Sequence, residues 1–144
     1  NGNSFRNFKN TDGFTDGRVY GICADTKNNI WFATRDEGIK YYDGKKFDSL
    51  TINNGLPSNE VYSIAKDKAG NLWFGLYNGI VKYADGKITA FGKEALVKNK
   101  TFFSALADSK GNIWFGSTSG EVLIIHRDNT YEKLTLPEAC RNEC

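Results

Sequence analysis

Asp67-Lys68-Ala69-Gly70-Asn71-Leu72-Trp73-Phe74-Gly75 is the best-formed copy of a phrase that occurs three times in this chain. The other copies are Asp25-Thr26-Lys27-Asn28-Asn29-Ile30-Trp31-Phe32-Ala33 and Asp108-Ser109-Lys110-Gly111-Asn112-Ile113-Trp114-Phe115-Gly116. Their tryptophans stand 42 and then 41 residues apart. A fixed period in the forties, carried by short apolar runs and turn residues, marks the blades of a β-propeller. The period extends well beyond the phrase. Upstream, Val19-Tyr20, Val61-Tyr62 and Phe102-Phe103 align. Downstream, Gly38-Ile39, Gly79-Ile80 and Gly120-Glu121-Val122 open a third run. A tight turn follows at Asp43-Gly44-Lys45, Asp85-Gly86-Lys87 and Arg127-Asp128-Asn129, and then a fourth short run.

The residue choices have physical reasons. Asp-Gly supplies the positive φ angles of a two-residue hairpin. The Asp that opens each phrase can accept hydrogen bonds from turn amides and so fix the corner. Adjacent Trp and Phe point to opposite sides of one strand, which suits a sheet covered on both faces. The small residue two places after each Trp (Ala33, Gly75, Gly116) shares its side and is expected to leave room for a facing ring. All three tryptophans are therefore expected to be buried, equivalent and in contact with an adjacent blade.

Four strands per copy are predicted, ordered A to D from the axis outward. A covers 18–25, 60–66 and 101–107; B covers 29–34, 71–76 and 112–117; C covers 38–42, 79–83 and 120–126; D covers 46–51, 87–92 and 130–135. The whole chain reads as one all-β propeller segment, with blades over 18–51, 60–92 and 101–135 and a polar tail over 136–144. Residues 4–9 align with the D strands and read as the orphan outer strand of a preceding blade. Three blades cannot close, because closed propellers use about four to eight. Either a second copy completes a six-bladed ring as a homodimer, or the rest of a longer propeller does. With no Met even at position 1, the chain reads as a processed or excised piece.

Composition narrows the function classes. Aromatics at 14%, 15 Gly and only 2 Pro suit short strands and turns. A formal charge of +2 over 144 residues gives no support to a nucleic-acid partner. No apolar run approaches a membrane span. His126 is the only histidine, and no Ser/His/Asp phrase or metal-ligand cluster is present, so an enzyme is not expected and no cofactor or metal is implied. Cys23 falls in an inner strand and reads as a small core residue. Cys140 and Cys144, in the tail, can pair, cross-link chains or stay reduced.

Gly55-Leu56-Pro57-Ser58-Asn59-x-Val61, followed by the phrase at 67–75 and by Gly79-Ile80, resembles the two-component regulator propeller repeat. The resemblance spans about residues 4–135 and is best in the second copy. The first has Gly13-Phe14-Thr15-Asp16-Gly17 in place of the Gly-Leu-Pro phrase, and the third has Glu94-Ala95-Leu96-Val97-Lys98. It implies a sensor propeller in the periplasm or outside the cell, often one that recognises oligosaccharides from polysaccharide breakdown. No kinase, response-regulator or DNA-binding segment occurs in the sequence.

Binding is expected on the face carrying the D-to-A and B-to-C connections, which are longer and more varied than the tight turns opposite. The candidates there are Arg35, Asp36, Glu37, Asn53, Asn54, Ser58, Asn59, Tyr77 and Asn78, as hydrogen-bonding or stacking partners for a sugar. Each of them also reads as an ordinary solvated turn residue. The competing classes are a purely structural, self-assembling module and a propeller lyase or hydrolase.

Overall fold

The computed structural model describes Gly13 and residues 17–135. The expected orphan strand at 4–9 and the tail with Cys140 and Cys144 lie outside the described residues. Three separate four-stranded antiparallel sheets follow one another. Blade 1 is β1 (Val19–Ala24), β2 (Ile30–Thr34), β3 (Ile39–Tyr42) and β4 (Phe47–Leu50). Blade 2 is β5 (Val61–Lys66), β6 (Leu72–Leu76), β7 (Gly79–Ala84) and β8 (Lys87–Ala90). Blade 3 is β9 (Phe102–Ala107), β10 (Ile113–Ser117), β11 (Glu121–Ile125) and β12 (Tyr131–Thr135). Each strand falls within one or two residues of its predicted span, because Gly, Asn and Asp take up positive φ at the intervening turns. The connections between blades hold the helical turns: a 3₁₀ turn over Ile52–Asn54 and a single α-turn, α1, over Glu94–Val97.

The opening Asp of each phrase closes a corner. Asp25 accepts the Asn29 backbone N–H on Oδ1 at 2.9 Å, and the Asn29 side-chain amide and Trp31 indole N–H on Oδ2 at 2.8 and 2.9 Å. Asp67 and Asp108 do the same for Asn71 with Trp73 and for Asn112 with Trp114. A buried indole N–H needs an acceptor, and the carboxylate six residues upstream supplies it. Trp can thus face the core without an orphaned donor.

Trp and Phe do point to opposite faces. Trp31 packs forward, 4.7 Å between ring centroids from Tyr83 of blade 2 and 6.2 Å from Phe74. Phe74 packs backward into that same core, together with Val61, Leu72 and Val81. Trp73 repeats the step with Phe102, Ile113 and Phe115 of blade 3. The two cores therefore lie between blades, not within them. The structure corrects two expectations. Trp31 and Trp73 are buried, but Trp114 is only half-buried, since no described blade follows blade 3. The room left by Gly75 is filled by the Ser63 hydroxyl and by the Phe102 carbonyl and Cβ rather than by a ring. A Cβ there would lie 2.6 Å from the Phe102 carbonyl oxygen and 2.7 Å from the Phe102 Cβ. Ser63 Oγ donates to that carbonyl at 2.8 Å, tying the inner strands of blades 2 and 3. Cys23, in β1, lies half-buried beside the first core, and burial pushes its thiol pKa up.

Candidate functional site

β1, β5 and β9 lie side by side along the inner edge of the array. Each carries the same irregularity. The pairing of β1 with β2 slips between Val19 and Gly21, and that of β5 with β6 slips between Val61 and Ser63. In blade 3, Ser104 pairs with Gly116 but Phe102 with Ser117. One extra residue is left over in each case: Tyr20, Tyr62 and Phe103. A β-bulge re-aims the side chain it carries. Here it takes three aromatic rings out of the inter-blade cores and lines them up in a row. Tyr20 and Tyr62 are 5.2 Å apart between centroids, and Tyr62 and Phe103 are 4.6 Å apart, edge to face. The outer two are 44% and 53% exposed, so the row is a wet aromatic surface.

The polar surroundings of this row differ from blade to blade. Arg35 N donates to Arg18 O, Tyr77 N to Glu60 O and Thr118 N to Thr101 O. These three bonds occupy one position, where the second strand ends beside the start of the inner strand. The residue pairs there are Arg18 with Arg35, Glu60 with Tyr77, and Thr101 with Thr118. The Tyr62 phenol donates to Glu60 Oε2 at 2.6 Å. Partial burial and that bond push its pKa to about 12, against the opposing pull of nearby Arg35. The inner edge thus offers aromatic faces flanked by a guanidinium, a carboxylate and hydroxyls.

The residues expected to bind divide into two groups. Arg35 and Tyr77 stand at the mouth of the aromatic row; Tyr77 is 43% exposed, and the Arg35 guanidinium lies 4.0 Å from the Asp36 carboxylate. Asn54, Ser58, Asn59 and Asn78 hold the connections together. Asn54 Oδ1 accepts the Thr51 N–H, closing a capping box on the 3₁₀ turn. Asn59 Oδ1 accepts the Ile52 N–H at 2.9 Å, and the Asn59 carbonyl accepts the Gly38 N–H. Asn78, at φ 58°, accepts the Asn99 N–H at 2.6 Å. Ser58 Oγ accepts the Glu60 N–H. Asn53 is exposed. Glu37 is turned away to the third strand, 2.6 Å from Lys40 Nζ. Tyr20, Tyr62 and Phe103 were not singled out by sequence reasoning. Their alignment was visible, but the bulge that turns them outward was not. Among the described residues no group of three His, Cys, Asp or Glu side chains converges as a metal site.

Fold and inner edge together define an open stack of propeller blades with a variable connection face. Residues 13–36 and 55–78 match the model of the two component regulator propeller. These two stretches are similar to that family's repeat. Two solved extracellular domains from B. thetaiotaomicron, each named as belonging to a hybrid two component system, superpose with TM-score 0.72 at 26% identity. They match over 83% and 85% of this chain, which spans only 18% of either of theirs. Virginiamycin B lyase from Staphylococcus aureus superposes with TM-score 0.66 at 18% identity, over 83% of this chain and 42% of the lyase, and shares the fold. No curated protein matches the sequence.

Proposed function

We propose that this chain is a non-catalytic recognition segment of an extracytoplasmic sensor propeller, and that it binds a neutral or mildly acidic oligosaccharide along its inner edge. The observation that carries this reading is the threefold bulge, which withdraws Tyr20, Tyr62 and Phe103 from packing and sets their rings in one exposed row. Apolar faces of sugar rings stack on such rings, and hydroxyls take partners from Arg35, Glu60 and Tyr77. The likeness to extracellular domains of two component systems supports a place in the periplasm or outside the cell. The rest of a longer propeller, rather than a second copy, is the partner this reading favours. The reason is Lys40. It stands where blades 2 and 3 place Val81 and Leu123, and it is tied to Glu37 and to the Gly13 carbonyl. A charged pair makes a poor seat for another chain's Trp114.

A glycan panel followed by titration of a hit tests the proposal. Replacing Tyr20 and Phe103 together by Ala should weaken binding by about tenfold or more, since each stacked ring contributes about 0.5–1.5 kcal/mol. The circular dichroism should stay that of the parent, because both rings are solvent-exposed. If no member of the panel binds at millimolar concentration, the sensory reading fails and a purely structural module takes its place.

A further inference from the structure

The two gaps between blades open onto the tight-turn side as clefts of similar size, about 310 Å³ between blades 2 and 3 and about 330 Å³ between blades 1 and 2. Both have an Asp corner and a Trp at the base, but their walls carry opposite charge. The cleft between blades 2 and 3 has Lys68, Lys82 and Arg127 against the single carboxylate of Asp67, with His126 beside them. The cleft between blades 1 and 2 has only Lys27 against Asp25 and Asp85. Strand register shows how the exchange arises. Tyr41 pairs with Trp31 as Lys82 pairs with Trp73, and Asp85 holds the turn position that Arg127 holds one blade later. The scaffold is the same, so packing does not demand the cations.

We infer that the cleft between blades 2 and 3 binds a sugar-sized oxyanion, a carboxylate or sulfate group carried on a single ring. Lys82 holds its ammonium 5.1 Å from the Trp73 ring centroid, a cation–π contact that fixes it over the floor of the cleft. Lys68 reaches across the gap to the Ser109 carbonyl, so its charge is held between the blades. Asp67 offsets only one of the three cations, so the wall stays net positive. Its oxygens already accept the Asn71 backbone and side-chain N–H groups and the Trp73 indole. Arg127 closes the far wall with a planar fork that suits a carboxylate or sulfate. The volume is at the low end for ligand sites, which suits one ring and not a chain of them. The site is separate from the inner edge and rests on the oligosaccharide reading only for the sugar frame of its ligand.

Amide and indole NMR of the whole chain tests this with four probes: glucuronate, glucose 6-sulfate, glucose and inorganic sulfate. Binding should shift the Gly111 amide and the Trp73 indole N–H saturably with glucuronate or glucose 6-sulfate, about tenfold more tightly than with glucose, and should weaken as salt is added. Lys82→Tyr with Arg127→Asp installs the residues of the other cleft, whose blades tolerate them, and should abolish the shifts. Lys82→Gln alone, a milder change, should weaken them by a few fold. Equal response to glucose, or shifts that survive the double variant, would overturn the inference. Inorganic sulfate binding as tightly as either charged sugar would mean an adventitious ion only. None of these outcomes moves Tyr62, so the inner-edge reading stands or falls on its own titration.

Discussion

The forward faces of blades 2 and 3 carry the same pattern in two environments. Blade 2 offers Ala65, Trp73, Gly75 and Ile80, all buried beneath the inner and second strands of blade 3. Blade 3 offers Leu106, Trp114, Gly116 and Val122 at the same register positions, and these line an open depression of about 340 Å³. Leu106 is 63% exposed. A blade of this kind evidently folds its hairpins and closes its Asp corner without a neighbour on that side. What the neighbour adds is burial of the Trp face and the Ser63 bridge. The corner is a property of the blade, and the core is a property of the pair.

The strongest way to break this comparison is to truncate the two tryptophans. Trp73→Ala should cost about 3–5 kcal/mol, as large-to-small core changes do. Trp114→Ala should cost clearly less, about 1–2 kcal/mol, because its ring is only half-buried although its indole N–H still bonds Asp108. Urea unfolding of both variants decides it, and equal losses would show that the two faces are not different environments. Next in size are the glycines. Gly75→Ala should cost about 1–3 kcal/mol, because its Cβ meets backbone that cannot give way. Gly116→Ala meets only the Ser104 hydroxyl, which can rotate, and should stay within about 0.5 kcal/mol of the parent. Ser63→Ala leaves the Phe102 carbonyl without its donor and should cost about 1 kcal/mol, while Ser104→Ala should be near neutral. Thermal melts resolve that difference.

Acid sharpens the contrast most gently. Glu121, in blade 3 alone, is held by bonds from Lys100 and Lys133 that lower its pKa from 4.5 to about 2. A carboxyl depressed in the folded state stabilises it above the ordinary value and loses that contribution as pH falls through the folded one. Protection of β11 and β12 against hydrogen exchange, taken relative to the intrinsic rate at each pH, should therefore fall between about pH 4.5 and pH 2. Glu121→Gln should remove that pH dependence and leave blade 2 unchanged. The Asp corners titrate in the same direction in all three blades. At Asp25 and Asp67 burial opposes the ionised form, but the indole, amide and backbone N–H donors outweigh it. At Asp108 the Trp114 bond leads.

Much of the fold was legible because a period of about forty residues repeats every local signal at once: turn glycines, corner Asp, Trp beside Phe. Those signals act within a few residues, where sequence is explicit. The site was less legible. Tyr20, Tyr62 and Phe103 align in the sequence, but a bulge is a mismatch between two strands and leaves no residue-type mark on either. Asn54, Asn59 and Asn78 were read as ligand partners, and in the structure the Oδ1 of each accepts a backbone N–H of the connections. Lys68, Lys82 and Arg127 come together only once blade 2 meets blade 3, a juxtaposition that a linear reading cannot see.

The Asp corners also bear on the order in which this chain acquires its shape. Each is closed by a donor no more than six residues from its carboxylate, whereas the Ser63 bridge joins residues 39 apart. Short loops close quickly, and long ones bear a greater entropic cost before any contact offsets it. Hairpins with their corners belong to the early, local part of folding, and docking of blade on blade belongs to the slow part. Weakening a corner, as in Asp67→Asn, should therefore lower the refolding rate, while Ser63→Ala should chiefly raise the unfolding rate. Stopped-flow traces of the two variants would tell these apart. A molecule built this way lengthens by accretion: each added blade arrives with its corner already set and waits only to find the exposed tryptophan of the one before.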